Sequence, residues 1–189
     1  MLTEDVNEKR GIADHFETVV KPWRERKIRF LCNPAAHKIW KSQEVMASLK
    51  QEAGEALALE RSIISGLNVV LFLSALAAIF ELPRLFGWWA LVLIPLMISL
   101  FKFIQGLSVF FPASLMGAAS VWLIFAGINV WEHKFSIHSE WFHLFLAIAV
   151  WSAVAVQSCT SWFLRSLALR NWKAYQLLIK TDMMKAESR

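Results

Sequence analysis

Three of the chain's five histidines, His133, His138 and His143, fall at five-residue intervals in HKFSIHSEWFH (residues 133–143). Imidazoles at that density could serve a metal site or axial haem ligation. The spacing works against both. Five residues turn a side chain by about 140° on a helix and alternate faces on a strand, so no regular element brings all three together. The i, i+4 pair of helical zinc sites is missing, and a haem bridging two helices needs histidines buried on separate spans. With Glu132 and Glu140 nearby, a surface zinc site is the sharper reading and a polar, solvated turn the plainer one. No cofactor is expected.

The second candidate is basic. KPWRERKIRFL (residues 21–31) holds five bases interleaved with Trp23, Ile28, Phe30 and Leu31. Such a segment suits anionic lipid headgroups, at about 1 kcal/mol per base near the surface, the phosphates of a nucleic acid, or packing on neighbouring helices. Proximity to apolar spans favours lipid, through Arg24, Arg26, Lys27 and Arg29, and ranks nucleic acid last.

The third set lies inside apolar sequence: Asn68, Lys102, Asn129, Gln157, Ser158, Thr160 and Ser161. Polar groups there serve as glue between helices or as a pore lining. Asn68 and Gln157 fall at similar depth and are expected to bond each other. No Asp, Glu or glycine-rich phosphate loop accompanies Lys102, so catalysis and active transport are not expected. Cys32 and Cys159 form no Cys-x-x-Cys pair and read as free thiols.

The elements that must position these groups follow from hydropathy. Hydrophobic residues make up 57% of 189 positions, above the roughly 45–50% of soluble domains. Residues 1–61 carry eleven Lys/Arg and ten Asp/Glu, whereas residues 62–131 hold Glu81, Arg84 and Lys102 as their charges. Four stretches approach the ~20 apolar residues of a membrane span: 62–80, 86–107, 112–131 and 141–164. The second and third nearly merge, and QGLSVFFPAS (residues 105–114) is predicted to turn between them through Gly106, Ser108 and Pro112. Residues 1–61 lack the apolar core of a signal peptide, so the first span is expected to direct insertion.

Seventeen of the twenty Lys/Arg precede Ser62 or follow Leu164, which predicts both termini in the cytoplasm, in a plasma (inner) membrane. Trp88, Trp89, Trp131 and Trp141 then mark the outer interface, Trp162 and Trp172 the inner one. Beyond the membrane, residues 33–62 are predicted to start a helix at Asn33–Pro34 that runs on into the first span, its apolar face formed by Ile39, Met46, Leu49, Ala53 and Ala56. Leu164, Ala168, Trp172, Tyr175, Ile179 and Met183 continue the helical rhythm past the fourth span. A short helix with Val6, Ala13, Phe16, Val19 and Val20 is predicted to stop at Pro22.

The sequence thus predicts an all-α, four-helix membrane bundle, N-in and C-in, with amphipathic cytoplasmic helices at 1–61 and 165–189. Two functions fit. One is a non-catalytic homo-oligomer forming a pore or membrane-perturbing assembly governed by the cytoplasmic helices. The other is an accessory or scaffold subunit that docks a protein partner through them. A haem- or metal-binding redox subunit ranks third.

Overall fold

The computed structural model describes residues 10–33, 42–54, 57–132 and 136–188; Val6, Pro34, Ile39, Ala56 and His133 lie outside them. The fold is mostly helical and divides into two compact units, one built from Met1–Ala58 with Ser161–Arg189 and the other from Leu59–Thr160.

In the first, terminal unit, α1 covers residues 10–24, with a π turn at Phe16–Val20 and a last α turn at Lys21–Arg24. The helix therefore continues past Pro22. A proline ring crowds the carbonyl one turn back; the wider π turn, closed by the Lys21 N–H on the Phe16 carbonyl, immediately precedes it and relieves that crowding. Arg26, at φ 58°, ends the segment. Strand β1 (Ile28–Cys32) then pairs antiparallel with β2 (Met184–Ser188), Ile28 opposite Ser188 and Cys32 opposite Met184. Alternation puts Phe30, Cys32 and Met184 inside and leaves Arg29 to pair with Glu187 at 3.1 Å on the outer face.

This ribbon is the one β element among the described residues. Asn33 extends the end of β1, its N–H donating to the Met183 carbonyl at 2.9 Å and its Nδ2 to the Asp182 carbonyl at 3.1 Å; the helix expected to start at Asn33–Pro34 falls on residues 34–41, outside those described. The C-terminal helix expected to reach Met183 ends at Lys180.

Helix α2 (Gln43–Ala53) is capped by Ser42 and ends at Gly54, φ 68°. That left-handed residue breaks the continuous helix expected from here into the first span. Before β2, helix α6 (Ile137–Arg170) stops at Asn171, whose Oδ1 accepts from the N–H groups of Lys173 and Ala174 to start α7 (Trp172–Lys180). Helices α2 and α7 pack together and each contributes a fully buried leucine, Leu49 and Leu178. The N- and C-terminal extensions thus share one core.

The second unit holds α3 (Ala58–Phe86) from Leu59 on, a 3₁₀ turn (Gly87–Trp89), α4 (Ala90–Phe110), α5 (Pro112–Glu132) and α6 up to Thr160. Three helical stretches, Ala58–Ile104, Ala113–Glu132 and Ile137–Arg170, are long and apolar enough to cross a membrane. The first is interrupted at Gly87, φ 54°, not at the proline: α3 runs through Pro83 to Phe86, with the Ile79 carbonyl denied its usual donor. The predicted turn at 105–114 is also tighter than expected. Gly106 and Ser108 remain helical, Phe111 alone leaves the helix (φ −127°, ψ 55°), and Pro112 opens α5, where its missing N–H costs nothing.

Helix α6 is the core of this unit. Half of its most apolar window is buried, against 17% for the α3–α4 stretch and 11% for α5. The reason is in its sequence: Ala147, Ala149, Ala153 and Ala155 let neighbours approach closely and are all buried. Ala78 and Leu82 of α3, Ala90 of α4 and Phe142 of α6 form one cluster, with Leu93, Ile94, Met97 and Phe145 packed on it. Trp151 of α6 donates through Nε1 to the Ser120 hydroxyl of α5 at 3.2 Å.

Candidate functional site

Of the three histidines, the two that are described, His138 and His143, are not brought together. His138 meets Glu81 of α3, Nδ1 to Oε2 at 3.0 Å, and Glu81 also takes a bond from Arg84 at 3.0 Å. His143, further along α6, directs its Nδ1 at the Ser139 carbonyl of its own helix, 2.7 Å away. The two rings therefore have separate partners. Among the described residues no group of three or more His, Cys, Asp or Glu is placed to hold a metal ion. Next to them Asn129, Ser139, Glu140 and His143, with Trp122, Phe125 and Ala126, line a cavity of about 260 Å³. Glu140 there is 2% exposed.

The expected pore residues are equally dispersed. Asn68 donates from Nδ2 to the Ile64 carbonyl of its own helix at 2.8 Å, so the side-chain bond expected with Gln157 gives way to an intrahelical one. Lys102 is exposed on α4, Asn129 lines the cavity just described, and Gln157 is buried in α6. The Ser158 hydroxyl is buried without a hydrogen-bond partner among the described residues. Ser161 belongs to the terminal unit, where its carbonyl accepts from the Cys32 thiol at 3.9 Å.

The basic segment, by contrast, is gathered. Trp23 and Arg24 at the end of α1, Arg26 in the turn, Ile28, Arg29 and Phe30 of β1, and Arg165 of α6 line a cavity of about 480 Å³. Lys27 is the one expected headgroup residue not on this wall; it pairs instead with Glu25 at 2.6 Å, which holds the Glu25 carboxyl below its usual range through that bond and the ammonium charge. Arg29 shares Glu187, Arg24 lies 5.9 Å from the centre of the Phe16 ring, and no carboxylate pairs with Arg24, Arg26 or Arg165 among the described residues.

Arg165 is the member that sequence reasoning did not select. Its Nε is buried and has no hydrogen-bond partner among the described residues. Its charge and a side-chain hydrogen bond with Cys32 oppose the effect of burial, which still pushes that thiol's pKa up. One signal could have found it: Arg165 is the first charge after the fourth apolar stretch, on a helix that the apolar rhythm carries onward. That it meets β1, more than a hundred residues earlier, is a tertiary fact.

Comparison with protein-family models, with curated proteins and with solved structures finds no match to this chain. The functional reading therefore rests on these two clusters and the helices that carry them.

Proposed function

We propose that this is a non-catalytic, four-span membrane protein, both termini cytoplasmic, in which the spans anchor a terminal docking module as an accessory or scaffold subunit of a plasma (inner) membrane complex. The observation that carries it is the β1–β2 register, which ties residues 28–32 to residues 184–188. Strands that pair within one unit lie on the same side of a bilayer, so the chain between them crosses an even number of times. Ala58–Ile104, at 47 residues, has the length of two crossings at about 1.5 Å per residue and a ~30 Å hydrocarbon core. Its break at Gly87 comes where two crossings need one. With α5 and α6 this reading totals four, and the positive-inside bias favours the cytoplasm for the module.

The accessory role is favoured over a pore within one chain by the placement of the described polar residues: Asn68 bonds its own helix, Lys102 is exposed and Gln157 is buried. A second reading, a pore formed by several copies, is supported by Lys102 and by Ala113 and Gly117, exposed on α4 and α5, faces that another protomer would cover.

Two measurements decide. Cysteines at Ser136 and Lys50, in a chain whose two native cysteines are replaced, are challenged with an impermeant thiol reagent on sealed cells: reaction at 136 and none at 50 is expected, and reaction at both would overturn the even number of crossings. Purification in native lipid should then yield a stoichiometric unrelated subunit; a homo-oligomer that leaks dye from liposomes would replace the accessory reading with the pore.

A further inference from the structure

The arginine-lined cavity has the composition of a specific anion site. Guanidinium groups match phosphate oxygens in planar, paired hydrogen bonds and are more weakly hydrated than ammonium, so three of them around one cavity recognise phosphate more selectively than scattered lysines do. Arg24, Arg26 and Arg165 reach it from three different elements, α1, the turn and α6. Glu187 pairs with Arg29 on the same wall, while no carboxylate pairs with the other three among the described residues, and like charges grouped in that way favour an added anion. Two further details point to a ligand. Arg165 makes a side-chain hydrogen bond with Cys32, but its buried Nε has no partner among the described residues, and such a donor carries a desolvation cost that a bound oxygen would remove. Arg26 sits at φ 58°, a conformation that costs a non-glycine residue on the order of 1–2 kcal/mol and that recurs where a side chain is held for a purpose. Trp23 and Phe30 give the cavity an apolar wall, and its volume of about 480 Å³ lies within the range of small-molecule sites.

We infer that this cavity binds a phosphorylated anion, its phosphate held by Arg24, Arg26 and Arg165 with its less polar part against Trp23 and Phe30. The ligand is either the headgroup of an anionic phospholipid or a free phosphate compound, and it gives the terminal module a specific chemical input. The inference deepens the docking role proposed above, yet its test does not depend on topology: binding is measured on purified protein, so its failure would leave the labelling pattern standing, and the reverse holds too.

The full chain in phosphatidylcholine nanodiscs is titrated with inorganic pyrophosphate and with a fluorescent nucleoside triphosphate, and in phosphatidylcholine–detergent micelles with short-chain phosphatidic acid. Saturable binding of at least one probe is expected, weakened tenfold or more by Arg24→Gln with Arg26→Gln, and not weakened by Lys27→Gln, whose ammonium lies off the cavity. Binding of the phospholipid alone assigns the lipid source, and binding of a soluble probe alone assigns the free one. Arg165→Gln tests the buried member, and Arg26→Lys, which retains charge but not the planar fork, is expected to fall between wild type and Arg26→Gln. No saturable binding of any probe, or an equal loss with Lys27→Gln, would overturn the proposal.

Discussion

His15 shows how one residue couples the terminal unit to pH. Burial lowers its pKa, opposed by the carbonyls of Ala168 and Leu169, and its ring lies 5.2 Å from that of Tyr175. Near neutral pH the imidazole is uncharged in both folded and unfolded chains. As pH falls below the ordinary value of 6.5, the unfolded chain takes up a proton that the folded one resists, so stability drops until the depressed folded pKa is reached. Hydrogen exchange of the α7 amides should accelerate on acidification through that window, and His15→Phe should flatten the response. A response unchanged in His15→Phe would assign it to another group. Cys32 makes a second residue-level case. Its buried, pKa-raised thiol should stay unreactive toward soluble thiol reagents at neutral pH even in detergent, and react on denaturation; this is why an exposed position such as Lys50 is the better reporter of sidedness.

At the scale of elements, two glycines act differently. Gly54 takes φ 68°, and a Cβ added there would meet nothing within 4 Å, so Gly54→Ala carries only the left-handed backbone cost, about 1 kcal/mol. Gly11 on α1 has an ordinary backbone, but a Cβ there would lie 3.0 Å from the Trp172 ring of α7. Gly11→Ala must push α1 off that indole, and a loss of about 1–3 kcal/mol is expected. Thermal unfolding of purified protein in one detergent ranks the two, Gly11→Ala below Gly54→Ala; the reverse order would mean that α1 moves freely on α7. The same residue type thus ends one helix and seats another, and sequence alone does not say which.

For the whole molecule, the ribbon joining the ends is the decisive connection. Met184, 1% exposed, and Phe30, 2% exposed, fill its inner face. Met184→Ala should cost about 2–5 kcal/mol, the usual range for a buried methionine, and should loosen residues at both ends of the chain. Limited proteolysis of the variant should therefore release fragments cut near β1 as well as near β2. Cleavage confined to the C-terminal end would mean that β1 is held by α1 alone. The core cluster of the second unit, Ala78, Leu82, Ala90 and Phe142, contains no residue of the ribbon and should be indifferent.

Hydropathy, charge bias and tryptophan placement are legible locally, because bilayer thickness sets a fixed length of apolar chain and water sets where charge can sit. The apolar stretches, the helical class and the basic character of Arg24, Arg26, Lys27 and Arg29 could all be read in that way. Helix ends were harder: Pro83 and Pro22 are helical, while Gly54, Gly87 and Phe111 break the chain, because a proline is tolerated wherever its lost hydrogen bond and ring contact can be absorbed. The strands could not be read, since five residues of IRFLC or MKAES have no stability apart from a partner 158 positions away at the Arg29–Glu187 pair. For the same reason the sequence offered four basic candidates, and only the tertiary structure decided which of them face a common cavity, set Lys27 outside it and brought in Arg165.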